Sequence, residues 1–344
     1  MLISDFDYEL PEDLIAQKPL DRRDASRMLV LDRNKQTWSD SLFSSFVEYL
    51  RPTDVVVINN TRVIPARLIG QRRSSGGCVE FLLARELEPG VWHALIRPGS
   101  RLKQGAMVDF GSGKLSAEVL DDPGEDLRKV RFHCEGSFAD LLEEIGLTPL
   151  PPYIKRASGG LAEDRERYQT VFSRQPGAIA APTAGLHFTA QMLSKVRERA
   201  RLAEITLHVG YGTFEPVRSM AIEEHSVSSE RFQIAEEAAR LINEAKKEHF
   251  RILAIGTTTV RALESSATAH GEVMPGDGMA AVTIKPAYVF QVADALLTNF
   301  HLPRSSLLLL VSALAGRELV LDAYRHAVKE RYRFYSYGDC MLIL

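Results

Sequence analysis

Residues 54–67 read DVVVINNTRVIPAR, and the pattern of the sequence changes within this stretch. The β-branched run at 54–58 is typical of a strand that is buried on both faces. The apolar spacing at 43–50 predicts a short helix, which Pro52 ends before the strand begins. After the loop NNTRVIPAR, short alternating stretches replace the long apolar runs. We therefore expect a domain boundary near residue 63.

The alternating stretches are separated by turn sequences such as SSGG, PG, GSG and DDPGED. Short strands at such regular spacing are typical of a small barrel or sandwich. We predict an inserted all-β barrel domain at residues 64–149. Its strands are predicted within 67–83, 91–96, 106–110, 115–120 and 129–133.

Strand and helix patterns alternate in the rest of the chain. A helix at 138–145, closed by Gly146, leads into the proline-rich segment TPLPPYIKR, where the chain is expected to return to the first domain. The alternation predicts a discontinuous α/β domain with a mixed sheet, formed by residues 1–63 and 150–344. Its strands are predicted at 177–181, 205–209, 252–255, 280–284 and 340–344, and its helices at 191–202, 236–250, 260–269, 306–315 and 318–331.

The composition is that of an ordinary globular protein, because 45% of the 344 residues are hydrophobic and 25% are charged. That length suits two domains of roughly 150 residues each. The first residues, MLISDFDYELPEDLI, lack the basic and apolar regions of an export signal. The longest apolar run, at 307–315, is shorter than the roughly 20 residues that cross a bilayer. We therefore expect a cytoplasmic protein that does not enter a membrane.

Neither the cysteines nor the histidines show metal-ligand spacing. Cys78, Cys134 and Cys340 are far apart and form no CxxC pair, which argues against disulfides and for a reducing compartment. The histidines form no HxxxH or HExxH pattern. The sequence also lacks a GxSxG elbow, a Walker loop and a GxGxxG fingerprint. We expect no bound metal, no serine hydrolase site and no familiar nucleotide-binding fold.

Five loops combine Gly, Thr, His and carboxylates where a strand ends or a helix begins, and function tends to concentrate in such loops. The first loop, AAPTAGLHFT at 180–189, contains Thr183, Gly185 and His187. Gly185 would let a ligand approach the backbone closely, and Thr189 is placed to cap the next helix. A capped turn with a packed histidine is an alternative interpretation.

The second loop, LHVGYGTFEPV at 207–217, contains His208 and one carboxylate, Glu215. Gly210 and Gly212 would permit a tight reversal with positive φ. A structural turn and a ligand loop are equally good interpretations of this segment.

The third loop, GTTTVRALE at 256–264, follows an apolar strand directly and opens a helix. The hydroxyls of Thr257 and Thr258, with the free N–H groups of the helix start, would suit a negative or hydrogen-bonding ligand group. Arg261 and Glu264 are expected one turn apart on the same face of that helix.

The fourth loop, LTNFHLPRSS at 297–306, contains Asn299 and His301 and offers Ser305 or Ser306 as a helix cap.

The fifth loop, RYRFYSYGD at 331–339, interleaves Arg331 and Arg333 with aromatic residues that include Tyr335, and it ends at Asp339. Proteins use this composition to stack exposed bases and to hold phosphates. Core packing before a final strand is the competing interpretation.

A formal net charge of -3 gives no overall attraction to nucleic acid, so RNA binding would depend on local basic surfaces. The segment KVRERAR at 195–201 is one candidate, and Lys155 with Arg156 is another. Solvated helix faces remain an alternative for each of them.

Together, these segments resemble the blocks of the S-adenosylmethionine:tRNA ribosyltransferase-isomerase family. The resemblance extends from DFDYELPEDLIAQKP to RFYSYGDCMLIL and includes NNTRVIPAR, LPPYIKR, DRERYQTVF and TNFHLP. It implies an α/β domain with an inserted barrel. It also implies transfer and isomerisation of the ribosyl group of S-adenosylmethionine onto the 7-aminomethyl-7-deazaguanine base at the tRNA wobble position. Adenine and methionine leave, and the product is epoxyqueuosine-tRNA.

That reaction implies roles for the five loops. A base must remove a proton next to the sulfonium, and an acid or donor must help adenine to depart. The catalytic candidates are His187, Glu215, Glu264, His301 and Asp339. The substrate-binding candidates are Thr183, Gly185, His208, Gly210, Gly212, Thr257, Thr258, Arg261 and Asn299. The tRNA-binding candidates are Arg62, Lys155, Arg156, Arg197, Arg199, Arg201, Arg331, Arg333 and Tyr335.

The partners implied are a tRNA with a queuosine-type wobble position and S-adenosylmethionine, which is consumed as a substrate, so no cofactor is expected. We expect a monomer. The chain departs from the family pattern at Ser228, where the family usually has histidine, and at Ala287, where glycine is usual. The missing histidine leaves a second hypothesis open, namely a non-catalytic tRNA-binding protein that retains the fold.

Overall fold

The β-branched run at 54–58 forms the strand Val55–Asn59, in which all five residues are buried. The fold is described from a computed structural model, which covers residues 1–99, 102–121, 127–156, 161, 163–214, 217 and 219–344. A strand without an exposed side chain needs neighbours on both edges and cover on both faces. The neighbouring strands of the large sheet pair with both edges, and helices cover both faces.

The described residues form seventeen strands and seven α-helices. The strands, β1 to β17 in chain order, are Arg27–Asp32, Thr37–Leu42, Val55–Asn59, Thr61–Val63, Arg67–Arg72, Cys78–Glu88, Val91–Arg97, Met107–Phe110, Leu115–Val119, Leu127–Cys134, Gln175–Ala178, Arg201–Leu207, Glu230–Ile234, Ile252–Ile255, Gly276–Ala280, Ala295–Asn299 and Cys340–Ile343. The helices, α1 to α7, are Phe138–Ile145, Asp164–Arg167, Ala190–Arg199, Glu236–Lys247, Thr257–Ser266, Ser306–Ala315 and Arg317–Lys329. The 3-10 helices are Ile3–Phe6, Glu12–Leu14, Arg23–Ala25, Phe43–Tyr49, Gly111–Gly113, Thr183–His187, Tyr211–Phe214 and Ile222–Glu224.

Nine strands form one mixed sheet in the order β15-β13-β12-β3-β14-β16-β17-β1-β2. The four neighbours β12, β3, β14 and β16 run parallel, with Val56 paired to Leu202 on one side and Leu253 on the other. The flanking strands β13 and β17 run antiparallel to them. The carboxyl ends of four adjacent strands therefore meet at one edge of the sheet.

Helices cover the two faces of this sheet unequally. Alternate strand residues such as Val55 and Val57 pack against α4, α5, α6 and α7 in one apolar cluster. Their neighbours Val56 and Ile58 face a second cluster, which contains α3 and the 3-10 helix Phe43–Tyr49. Burial on both faces explains why these strands appear as continuous apolar runs in the sequence.

Six antiparallel strands close the barrel in the order β10-β7-β6-β5-β8-β9. Alternate residues of each strand fill its interior, which forms a third apolar cluster. A side chain at Gly70 would meet the Phe110 ring at 2.5 Å, so only glycine fits at that point of β5. The predicted fold class, a mixed α/β sheet with a closed all-β barrel, is confirmed. The domain boundaries at 63/64 and 149/150 stay a prediction.

Several predicted elements differ from the observed ones. The helix predicted at 43–50 is the 3-10 helix Phe43–Tyr49. The helix predicted at 260–269 begins at Thr257 instead, because Gly256 adopts φ 92° and starts the helix earlier. In place of the strand predicted at 280–284, the structure has strand β15 at Gly276–Ala280, which pairs with β13. Strand β16 was not predicted, since its polar Thr298 and Asn299 resemble a loop. None of the described helices has both the length and the apolar character of a membrane span.

Candidate functional site

A cavity of about 460 Å³ lies at the carboxyl ends of the parallel strands. Val209 follows β12, Gly256 follows β14, and Phe300 follows β16, and all three line it. Ligands of open α/β sheets bind at this edge, because loops leave the strands there in different directions. The cavity is therefore the candidate functional site.

The start of α5 forms one wall of the cavity. Thr257 and Thr258 line it in the first helical turn, where backbone N–H groups have no partner within the helix. Thr258 is 8% exposed, and its hydroxyl has no hydrogen-bond partner among the described residues. The next hydroxyl, of Thr259, donates to the Ile255 carbonyl over 2.6 Å. This wall suits an anionic or hydrogen-bonding group of a ligand.

Asn299, the last residue of β16, also lines the cavity. Its Nδ2 donates to the Tyr335 carbonyl over 3.0 Å and to Nε2 of His187 over 3.3 Å. Its Oδ1 has no partner among the described residues, although Asn299 is only 2% exposed. The carbonyl of Tyr335 accepts only, so the amide orientation follows from its partners. Asn299 Oδ1 is thus a buried acceptor without a partner among the described residues, in a residue that lines the cavity.

His187 lies behind Asn299 rather than in the cavity lining. Ser26 Oγ donates to the Arg23 carbonyl, so Nδ1 of His187 donates to Ser26 Oγ over 2.7 Å. Nε2 then accepts from Asn299, and both ring nitrogens are used. Burial lowers the pKa of His187 to about 4. A neutral, fully bonded imidazole fits a positioning residue for Asn299 better than the catalytic role predicted for it.

Among the predicted catalytic residues that the structure describes, His301 is the one that lines the cavity. Its Nε2 bonds Thr298 Oγ1 over 2.9 Å, and its backbone N–H donates to the Tyr324 hydroxyl. Burial lowers its pKa to about 3, so the ring is neutral near pH 7. Nδ1 makes no hydrogen bond to a described residue and is the ring atom left for a substrate.

A buried ion pair closes the cavity beside β13. Arg261 bonds Glu230, and its Nη2 donates to the carbonyls of Ala280 over 2.7 Å and Ser228 over 3.0 Å. Glu230 also accepts from the Gly210 N–H over 2.8 Å. Arg261, Glu230 and Ser228 all line the cavity. The guanidinium therefore joins α5 to the start of β13, the end of β15 and the segment that precedes β13.

Two further catalytic candidates lie outside the cavity lining. Glu264 was expected to share a helix face with Arg261, but it accepts from the Tyr288 hydroxyl and from three backbone N–H groups at 291–293. Asp339 accepts from the N–H groups of Arg27 and Arg333, and burial raises its pKa. Both carboxylates are occupied by the backbone, which fits loop anchoring and not proton transfer. Glu215 lies outside the described residues.

Three glycine predictions need correction. A side chain at Gly185 would meet Phe172 at 2.7 Å, so this glycine permits packing within the protein and not the approach of a ligand. Gly210 and Gly212 do not adopt positive φ, because the reversal after β12 is the 3-10 helix Tyr211–Phe214. Gly212 still lines the cavity, as does Thr183.

His208 points away from the cavity. Its Nδ1 bonds Thr61 Oγ1 over 2.8 Å, and a side chain at Gly177 would meet its ring at 2.8 Å. It joins β12 to the short sheet of β4 and β11 instead of contacting a substrate.

The predicted tRNA-binding residues lie on several separate elements. Arg199 and Arg201 donate to the carbonyls of Leu50 and Thr53, whereas Arg197 is half exposed beside Glu204. Arg331 pairs with Asp13. Arg62 is exposed on β4, and the partly buried guanidinium of Arg333 donates to the Lys18 carbonyl. The remaining three, Tyr335, Lys155 and Arg156, line cavities. Four of the nine, namely Lys155, Arg156, Arg331 and Arg333, all contact the segment at residues 12–18. The other five lie on other elements.

Sequence reasoning missed four contributors to the site. Ser26 orients His187, and Glu230 pairs with Arg261. The Tyr153 ring contacts the Tyr335 ring in a tilted arrangement with 4.0 Å between the centroids, and its hydroxyl bonds Ser336 Oγ over 2.6 Å. The segment LPPYIKR gave a signal for Tyr153, and Ser336 lies within the fifth loop. No local pattern marks Ser26 or Glu230, whose partners are distant in the chain.

Similarity to known proteins agrees with this architecture. The profile of the queuosine biosynthesis protein family matches residues 3–343. The S-adenosylmethionine:tRNA ribosyltransferase-isomerases of Pelotomaculum thermopropionicum and Desulforamulus reducens are 49% and 47% identical over 345 residues, covering 100% of each chain. The crystal structure of S-adenosylmethionine tRNA ribosyltransferase from Thermotoga maritima matches with a TM-score of 0.56 and 38% identity, covering 99% of this chain and 100% of that one. This chain therefore belongs to the queuosine biosynthesis protein family.

Proposed function

We propose that this protein transfers and isomerises the ribosyl group of S-adenosylmethionine onto the 7-aminomethyl-7-deazaguanine base at the tRNA wobble position. The product is epoxyqueuosine-tRNA, and adenine and methionine are released. The observation that carries the proposal is the cavity at the carboxyl ends of the parallel strands, in a chain whose relatives bear the name of this activity.

The cavity offers a chemically matched place for each part of S-adenosylmethionine. The N–H groups at the start of α5 and the hydroxyl of Thr258 suit the methionyl carboxylate. Asn299 Oδ1 is an acceptor for the substrate amino group or a ribose hydroxyl. These contacts would fix the sulfonium and the ribose within the cavity.

His301 is the best-placed described group for proton transfer. Its neutral ring would take the proton next to the sulfonium on Nδ1, and the resulting imidazolium would return a proton to the departing adenine. Because burial holds the pKa of His301 near 3, the neutral ring is a weak base and the charged ring is a strong acid. Ionisation therefore favours return of the proton within the same turnover.

The rest of the assignment follows the same reaction. S-adenosylmethionine is consumed as a substrate, and we propose that no metal or further cofactor takes part. We also propose a cytoplasmic monomer, organised as an α/β domain at 1–63 and 150–344 with a barrel domain at 64–149. The alternative of a non-catalytic tRNA-binding protein is not favoured, since the unpartnered polar atoms of the cavity would serve no purpose in it.

The test is incubation with S-adenosylmethionine and tRNA that carries the aminomethyl-deazaguanine. Adenine and methionine should appear in equal amounts, and tRNA that lacks the modified base should release neither. Release of S-adenosylhomocysteine would instead identify a methyltransferase. Binding of tRNA without measurable binding of S-adenosylmethionine would support the non-catalytic alternative.

A matched pair of variants tests the role of His301. His301→Gln should lower kcat by roughly 10²- to 10⁴-fold, the usual contribution of a general acid–base group. His326→Gln serves as the control, because His326 lies on α7, pairs with Asp40 and does not line the cavity. Equal effects of the two substitutions would remove His301 from the mechanism.

A further inference from the structure

A second cavity, of about 350 Å³, lies where the barrel meets the α/β sheet. Its lining includes Arg67 and Arg97 from the barrel, Lys155 and Arg156 from the returning chain, and Tyr211 from the loop after β12. These five residues define what we call the barrel crevice. Nothing in the mechanism described above uses it.

The two cavities are lined in part by the same or adjacent residues. Pro152 lines both, Tyr153 lines the first cavity, and Lys155 lines the barrel crevice. In a second segment, Tyr211 lines the barrel crevice and the adjacent Gly212 lines the first cavity. The two cavities are therefore neighbours.

The charge of the barrel crevice suits an anion, because Glu80, the carboxylate in its lining, pairs with Arg67 over 2.8 Å. Arg97 is exposed and forms no ion pair with any residue that the structure describes. Lys155 pairs with Glu12, but the two side chains are 76% and 77% exposed, and such pairs are weak and exchange readily. Arg156 differs, because its two bonds to buried Asp164, of 2.8 and 2.9 Å, fix it as part of the wall. Two cationic groups thus remain for a ligand.

We propose that the barrel crevice binds the nucleotide adjoining the modified one in the RNA substrate. Its phosphate would lie near Arg97 and Lys155, and its base would stack on the ring of Tyr211. The inference rests on the proposed function, since a base that enters the first cavity must leave its stack. Its neighbour then needs a new stacking surface and new phosphate donors, which aromatic and basic side chains provide.

The phosphate contact is tested by Arg97→Ala, with Arg131→Ala as a matched control. Both arginines are exposed on the barrel, but Arg131 pairs in register with Val91 at the opposite end of β7. Loss of one phosphate contact should reduce the slope of log affinity for tRNA against log salt by about 1. Arg131→Ala should leave the slope unchanged, and neither substitution should alter the Kd for S-adenosylmethionine.

The stacking contact is tested by Tyr211→Ala and Tyr211→Phe. Loss of base stacking should weaken binding of an anticodon stem-loop by roughly 5- to 150-fold, whereas phenylalanine retains the ring and most of the affinity. A second stem-loop lacks the base of the neighbouring nucleotide that is proposed to stack on Tyr211. With this stem-loop, Tyr211→Ala should not weaken binding further. Thermal unfolding of each variant checks that the fold is intact.

The outcomes separate this inference from the proposed function. If the wild-type protein binds tRNA but releases no adenine, the proposed reaction fails while the binding tests of the barrel crevice still stand. If the wild-type protein turns over and Arg97→Ala and Tyr211→Ala bind tRNA as Arg131→Ala does, the barrel crevice is not an RNA site. Equal loss from Tyr211→Ala on intact and on abasic stem-loops at either neighbouring position would also overturn it.

Discussion

The substitution Thr258→Val should separate the stability of the protein from its affinity for substrate. Valine keeps the branched shape of threonine and removes only the hydroxyl. In the free protein that hydroxyl is buried without a partner among the described residues, so its loss removes no internal hydrogen bond. The free energy of unfolding should stay unchanged or rise by up to about 1 kcal/mol, because an unsatisfied buried polar group is costly.

Substrate affinity should change in the opposite direction. Thr258 lines the cavity at the start of α5, where we place the carboxylate of S-adenosylmethionine. A hydrogen bond to a charged group contributes about 1.5 to 3 kcal/mol. Its loss should raise the Kd for S-adenosylmethionine by roughly 10- to 150-fold.

The neighbouring residue provides the control. Thr259 is fully buried on the same helix, and its hydroxyl donates to the Ile255 carbonyl over 2.6 Å. Thr259→Val should therefore destabilise the protein by about 1 kcal/mol and leave the Kd for S-adenosylmethionine unchanged. Urea unfolding without ligand and calorimetric titration with S-adenosylmethionine measure the two quantities. If Thr258→Val is as destabilising as Thr259→Val and binds S-adenosylmethionine normally, the hydroxyl has an internal role and our placement of the carboxylate is wrong.

Three further predictions concern pH, backbone strain and the position at which the chain departs from its family. The pKa values of His187 and His301, about 4 and about 3, lie below the ordinary value of 6.5, so the unfolded chain binds protons more readily. Stability should be complete at about pH 7.5, above the unfolded-state pKa, and should decrease by roughly 2 kcal/mol per histidine as the pH falls to about 5.0. Urea unfolding should show a smaller loss in His187→Gln. Ala287 adopts φ 76°, so Ala287→Gly should stabilise the protein by roughly 1 kcal/mol, and a lower melting temperature would contradict this. Ser228 lines the cavity, and its carbonyl accepts a hydrogen bond from Arg261. Ser228→His should change turnover by less than about tenfold, or about 1.4 kcal/mol. A gain of about a hundredfold would instead identify a catalytic position.

Periodicity and helix caps predicted the elements whose signals are local. The helix at 138–145 was placed with both ends correct, and so was the helix at 306–315, whose cap is Ser305. Thr189 accepts from the Met192 N–H as a cap, as its sequence position indicated. The barrel followed from regularly spaced turns. Each of these features depends on residues within one or two turns of each other, which is the range that a sequence pattern can represent.

The site depended on contacts that no local pattern represents. Arg261 on α5 was expected to act with Glu264, three residues away on the same helix. Its carboxylate partner is instead Glu230, the first residue of β13. A guanidinium on a buried helix face needs several acceptors, and the tertiary fold supplies Glu230 together with the carbonyls of Ser228 and Ala280. Glu264 then satisfies the backbone at 291–293. The sequence showed which residue types were present, and the fold determined which of them pair.

The two buried histidines, His187 and His301, differ in the hydrogen bonds that their ring nitrogens make. In the sequence, His187 and His301 are equally plausible catalysts, and burial keeps both neutral. They differ in what is left unused, because His187 bonds through both ring nitrogens and His301 bonds through one. An unsatisfied polar atom in a buried site carries a desolvation penalty of about 1 to 3 kcal/mol, which a ligand that bonds to it removes. The unused atoms of Thr258 and Asn299, with the unbonded ring nitrogen of His301, therefore mark where the protein gains most from binding substrate, and all three residues line one cavity.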